Sequence, residues 1–112
     1  MPLQFWRSPM GREPTRDWFR ALANADRKVV GTDLRRVQYG WPIGMPLVKS
    51  LGDGLWELRS SLPSRREARA IFIVDSHGIL VLNAFIKKSQ KAPKSEIELA
   101  QKRMKEGIYN EN

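Results

Sequence analysis

Apolar positions recur at helical spacing in three stretches of the chain and alternate, or run continuously, in the stretches between. After Pro14, Trp18, Phe19 and Leu22 form one apolar stripe, while Arg16, Asp17 and Arg20 lie off it. Proline suits a first helical turn, where its missing N–H costs nothing, so a helix is predicted over about residues 14–23. Val30, Leu34, Val37 and Trp41 then follow at i, i+4, i+7 and i+11, with Arg27, Lys28, Arg35 and Arg36 among them. Asn24 suits the N-cap of this second helix and Asp26 its first turn. Gly31 and Thr32 weaken its middle, and Gly40 followed by Pro42 ends it. Joined through residues 23–25, the two predict a helical hairpin packed on another layer. The third helical period is Ile97, Ala100, Gln101, Met104 and Ile108, after Pro93. Ser95 and Glu98 are spaced as its capping box, and Gly107 is its stop.

The strand signals lie elsewhere. Residues 2–6 (PLQFW) suit a short first strand, and Ser8-Pro9-Met10-Gly11 is turn chemistry. Leu47–Leu51 is either a short strand or a loop. Beyond the tight turn Gly52-Asp53-Gly54, Leu55–Arg59 alternates, with Trp56 and Leu58 on one face and Glu57 and Arg59 on the other. Ser60–Arg66 is a connecting loop. Glu67–Asp75 carries a continuous apolar run, Ala70–Val74, which predicts a central strand covered on both faces. Asp75-Ser76-His77-Gly78 is a hairpin turn, and Ile79–Ile86 is the return strand. The order β-α-α-β-β-β-α predicts an α+β domain. Its N-terminal helical hairpin packs on a small antiparallel sheet, with a further helix at the end.

Composition adds constraints. A chain of 112 residues with 41% apolar content supports one domain and one compact core. No run approaches the ~20 apolar residues of a membrane span. The N-terminus has no long apolar segment of the signal-peptide kind. With no cysteine, a disulfide scaffold and a thiolate metal site are excluded, and a reducing, cytoplasmic setting fits. Net charge narrows the partners most. Twenty basic residues against twelve acidic give +8, with an isoelectric point near 10.3. A small domain of this charge most often meets nucleic acid, the ribosome, an anionic membrane or an acidic protein.

The candidate chemistry is correspondingly cationic. His77, the single histidine, sits in a turn, and a protein-ligated zinc site does not follow from one histidine and no cysteine. No Gly-rich phosphate loop and no Ser/His/Asp arrangement stands out. Glu57 and Glu67, each near arginine, read as surface partners. The basic outer side of the second helix reads as a solvated face. What remains is Arg59 at the end of one strand, Arg65 and Arg66 in the loop, and Arg69 near the start of the next strand. Lys87, Lys88 and Lys91 follow the last strand. In an antiparallel meander, Arg59 and Arg69 become cross-strand neighbours and Lys87 and Lys88 return to the same edge. Such a cluster repels itself unless acids or a bound anion compensate it. A phosphodiester is one such anion. Cations of this kind can cleave RNA without metal or other cofactor. The substrate's own 2′-hydroxyl is then the nucleophile, and the cations stabilise the charge that builds on phosphorus.

Three stretches carry a family likeness. Gly54-Leu55-Trp56-Glu57-Leu58-Arg59, Arg69 with the apolar strand after it, and Phe85-Ile86-Lys87-Lys88-Ser89-Gln90-Lys91-Ala92-Pro93 with Glu96-Ile97 resemble the phage-derived Gp49-like, HigB-type branch of the RelE/ParE toxin superfamily. The likeness extends to Gly11-Arg12-Glu13-Pro14 and Trp18. Ser89 and Ala92 stand where the family commonly has threonine. The resemblance implies a RelE-like fold and the toxin of a type II toxin–antitoxin pair. It further implies a ribosome-dependent endoribonuclease acting on messenger RNA, with a small helix-turn-helix antitoxin as partner. By the same resemblance Arg59, Arg69 and Lys87 are the active-site residues and Lys88 and Lys91 are RNA contacts; the cationic cluster adds Arg65 and Arg66 as expected RNA contacts. Some superfamily members use a late histidine or tyrosine. Here no histidine follows Lys87, and Tyr109 is the only late tyrosine, which leaves the acid and base open. The superfamily also contains gyrase poisons without nuclease activity, so a non-catalytic binder is the alternative.

Overall fold

A computed structural model describes residues 1–88 and 93–106. Its elements are β1 (Leu3–Phe5), α1 (Pro14–Arg20), α2 (Asn24–Gly40), β2 (Val48–Gly52), β3 (Leu55–Ser61), β4 (Glu67–Asp75), β5 (Gly78–Ile86) and α3 (Lys94–Lys105). The α+β, RelE-like architecture expected from the pattern is present. The sheet is ordered β1-β5-β4-β3-β2. Strands β2 to β5 form an antiparallel meander, and β1 joins β5 in parallel with Leu3 opposite Ile79.

The sheet holds one strand more than the predicted order counted. Leu47–Leu51 resolves as strand β2, because Val48 pairs with Leu58 and both side chains are buried. The Gly52-Asp53-Gly54 turn takes positive φ at all three residues, which closes the hairpin and sets Lys49 opposite Glu57.

Both faces of the sheet are covered, as the apolar run in β4 requires. On one face Val30, Leu34 and Val37 of α2 pack over Val48, Leu58, Ala70, Phe72 and Val81, with Trp18 and Phe19 of α1 alongside. On the other, Ile97, Ala100 and Met104 of α3 pack over Leu55, Ile71, Ile73, Leu82 and Phe85. Each helix therefore buries the stripe that its period marks.

Helix boundaries shift by a few residues. Helix α1 stops at Arg20, and α2 is capped at Ala23, so Asn24 is its first residue and accepts from Arg27 Nη2 at 3.0 Å. The Ser95/Glu98 capping box does not form: α3 begins at Lys94 with Pro93 at the cap. Its first turn is held from outside, where Asn83 Nδ2 donates to both the carbonyl and Oε1 of Glu96, each at 3.0 Å. Gly31 weakens α2 in principle, and the Phe19 ring of α1 lies 3.6 Å from where its Cβ would stand, an ordinary van der Waals contact. Gly78, at φ +118°, meets the first strand: its Cβ would come 2.3 Å from the Pro2 carbonyl oxygen.

A register shift between Ile71 and Phe72 leaves Leu82 as an extra residue in β5. The Leu82 carbonyl is satisfied from two helices, by Arg103 Nη1 at 2.8 Å and Thr15 Oγ1 at 3.3 Å. Arg103 also stacks 4.7 Å over the Trp6 ring. These contacts tie α1 and α3 to β5, with Trp6, just beyond β1, alongside.

Candidate functional site

The strand register writes out one polar corner of the sheet. Arg59 of β3 lies directly opposite Arg69 of β4, and Arg69 opposite Phe85 of β5. One step toward the hairpin, Ser61 faces Glu67, and the Lys87 backbone N–H donates to the Glu67 carbonyl at 2.8 Å. One step the other way, Lys49 faces Glu57 and Glu57 faces Ile71. Alternation puts Lys49, Glu57, Arg59, Glu67, Arg69 and Lys87 on the α3 side of the sheet, beyond the patch that α3 covers. The predicted meeting of Arg59, Arg69 and Lys87 at one sheet end is thus realised in the backbone.

The electrostatics of this corner are decided by two carboxylates. Glu57 is only 1% exposed, not a surface residue as its flanking arginines suggest. Its Oε1 accepts from Arg69 Nη1 at 2.7 Å and Arg59 Nε at 3.2 Å, while its buried Oε2 has no hydrogen-bond partner among the described residues. Glu67 Oε1 takes the other edge of the Arg69 guanidinium, Nε at 2.8 Å and Nη2 at 2.7 Å. Arg69 is consequently held on two sides, with its side chain 6% exposed. The Arg59 side chain is 26% exposed and that of Glu67 38%. Burying one ion costs several kcal/mol, so neither Glu57 nor Arg69 is tolerable here without the other. The acids compensate the two arginines, but among the described residues no carboxylate pairs with Lys49, Lys87 or Lys88. The corner therefore keeps a surplus of positive charge after its internal pairing.

Arg65 and Arg66 do not join this cluster directly. The β3–β4 hairpin closes through Arg65 N–H to Leu62 O at 3.0 Å, with Arg65 at φ +63° and exposed. Arg66 turns to the α2 side, where Nη2 lies 3.3 Å from Asp26 Oδ2 and Nε 3.1 Å from Ser64 Oγ. Ser64 N–H donates to Asp26 Oδ1 at 3.2 Å. Hydrogen bonding by Ser64, and then by the Arg66 guanidinium, holds the Asp26 carboxyl below its usual value against the opposing effect of burial. A second link on that side runs from Ser60 Oγ to Asp33 Oδ2 at 2.8 Å. Asp26 is thus more than a first-turn dipole partner. Lys88 is exposed, and Lys91 lies outside the described residues, as do Ile108 and Tyr109.

His77 sits in the β4–β5 turn, at the far end of β4 from Arg69. A crevice of about 1020 Å³ opens at that far end, between β1, the residues before α1 and this turn. This crevice lies at the other end of the sheet from the arginine corner, whose floor is a buried ion cluster. Lys49 was not singled out in the sequence, because the strand that carries it was ambiguous there.

These features define a small α+β fold with a cluster of basic side chains at one sheet end. The chain matches the family described as Phage derived protein Gp49-like (DUF891) over residues 17–105, most of its length. It belongs to that family, which is one of RelE/HigB-like toxins. Membership places it in general terms among the toxins of toxin–antitoxin pairs, with an antitoxin as the general partner. No curated protein matches the chain.

Proposed function

We propose that this protein is a ribosome-dependent endoribonuclease that cuts messenger RNA and so inhibits translation. The observation that carries the reading is the direct pairing of Arg59 with Arg69, with Lys87 one step away beside Glu67. A scissile phosphate over this corner meets cations from three adjacent strands. The 2′-oxygen of the substrate attacks phosphorus and the bond to the 5′-oxygen breaks, leaving a cyclic 2′,3′-phosphate and a free 5′-hydroxyl. The 2′-hydroxyl loses its proton and the departing 5′-oxygen gains one. Arg59, Arg69 and Lys87 stabilise the charge that develops on the phosphorane oxygens. Exposed Arg65 and Lys88, with Lys91, hold the flanking RNA and Lys49 extends the α3-side face, whereas Arg66, engaged by Asp26 on the other face, contributes least. The ribosome supplies the alignment that an open surface lacks, since positioning carries much of the rate. A helix-turn-helix antitoxin would neutralise the toxin.

A second reading has one observation in its favour. Arg69 is almost wholly buried and doubly paired, and no imidazole lies beside it among the described residues. This suits a non-catalytic toxin, such as one directed at DNA gyrase, in which the ion cluster is architecture. Translating ribosomes with a defined message separate the two. Primer extension should reveal new, codon-phased 5′ ends with the wild type and none with Arg59→Ala. No cleavage by folded, antitoxin-free protein, together with loss of gyrase supercoiling activity, would establish the second reading instead.

A further inference from the structure

The two carboxylates on Arg69 are not equivalent. Glu57 is sealed in and shares one oxygen between two arginines, whereas Glu67 stands at the rim, 38% exposed. Glu67 uses a single oxygen to cover the Nε/Nη2 edge of Arg69, at 2.8 and 2.7 Å. That edge is the fork with which arginine grips a phosphate by two parallel N–H bonds. The carboxylate comes from the same strand, two residues before Arg69, and swinging it outward disturbs no other hydrogen bond of its side chain among the described residues. Arg69 would stay anchored through Nη1 to Glu57.

We infer that Glu67 occupies the place of a substrate phosphate on Arg69 and is displaced when RNA binds. This rests on the proposed RNA-directed role of the arginine corner and assigns Glu67 a part in it as a positioning residue. With Glu67 in place, the corner balances two carboxylates against two guanidiniums. With a phosphodiester in its stead, the count of charges is unchanged. Arg69 therefore never faces its arginine neighbour uncompensated, and its fork stays in the geometry that a phosphate needs. A purely structural Glu67 predicts the opposite consequence of its removal, because loosening Arg69 would weaken any site built on it.

The test is binding, measured without cleavage. A short message oligonucleotide with 2′-O-methyl riboses is titrated by fluorescence anisotropy against the full chain and Glu67→Gln, at one fixed salt concentration. Thermal unfolding establishes that each variant is folded. Removing one competing, partly exposed ion pair should tighten binding about three- to tenfold. In the Arg69→Lys background, which keeps the charge and lacks the fork, the gain should disappear. Unchanged or weaker binding by folded Glu67→Gln overturns the inference. So does a gain that persists with Arg69→Lys, since that is general relief of repulsion. The two proposals fail separately. Tighter binding without any ribosomal cleavage leaves this inference standing and removes the nuclease, and codon-phased cleavage without tighter binding does the reverse.

Discussion

Two acid–arginine assemblies flank the β3–β4 hairpin, one on each face of the sheet. On the α2 side, Asp26 joins Ser64 and Arg66, and Asp33 joins Ser60. On the α3 side, Glu57 and Glu67 join Arg59 and Arg69. The first links a helix to a hairpin, with its carboxylates taken up by Ser60, Ser64, Arg66 and Arg36. The second links neighbouring strands, is sealed at its centre, and has Lys49 and Lys87 on the same face. A closed staple satisfies itself. An ion cluster with surplus cations at its edge still attracts an anion. The difference separates an assembly that holds the fold from one that also offers a binding surface.

Substitutions sharpen this contrast. The largest effect is expected from Glu57→Ala, which strips Arg69 of its buried partner and Arg59 of its only carboxylate among the described residues. Breaking a buried pair from one side costs about 3–5 kcal/mol, so the urea midpoint should fall steeply with an unchanged slope. A loss under about 1 kcal/mol would show that water reaches the cluster and that its floor is not dry.

Arg59→Ala should behave differently. Arg59 is partly exposed and Arg69 remains to neutralise Glu57, so stability should change by no more than about 1 kcal/mol. Cleavage on translating ribosomes should fall by about 10²-fold or more, the usual cost of losing one group that stabilises developing charge. Equal losses of stability and activity would make the α3-side cluster as structural as the α2-side staple.

Asp26→Asn probes the staple through pH. The Asp26 carboxyl is held below its ordinary value of 3.8, so the stability it contributes is complete above that pH and is lost as pH falls through the lowered value. Urea midpoints followed from pH 7 to pH 2 should show a shallower acid-side decline for Asp26→Asn than for the wild type, with RNA binding at pH 7 unaltered. An identical acid profile would mean that Ser64 and Arg66 do not hold the charged form.

The smallest effect separates two cations near the hairpin and the last strand. Lys88→Ala should lower the slope of log K against log salt for RNA binding by roughly 0.7–0.9, one phosphate contact. Arg66→Ala should lower it by less, because its guanidinium is already engaged by Asp26. Equal changes in slope would bring the α2 side into the binding surface.

Much of the architecture was legible because it rests on local pattern. The stripe Val30, Leu34, Val37 marks the buried side of α2, and the run Ala70–Val74 marks a strand covered twice. Strand order along a meander then forces Arg59 beside Arg69. If the second face of β4 is covered, a residue beside it on β3 is covered too, which makes Glu57 a buried acid and not a surface one. Lys49 was hidden for a related reason, since its face depends on whether Leu47–Leu51 is a strand.

Chain order and periodicity thus determined the elements, the meander and the gathering of arginines at one sheet end. Those follow from contacts between residues close in sequence and from the period-two geometry of strands. Which acid is sealed and which stands at the rim, that Arg66 turns away to Asp26, and that Asn83 rather than Ser95 holds the start of α3 were decided only in three dimensions. Each depends on where a helix distant in sequence comes to rest on the sheet, and that placement sets the burial from which the charges take their strength.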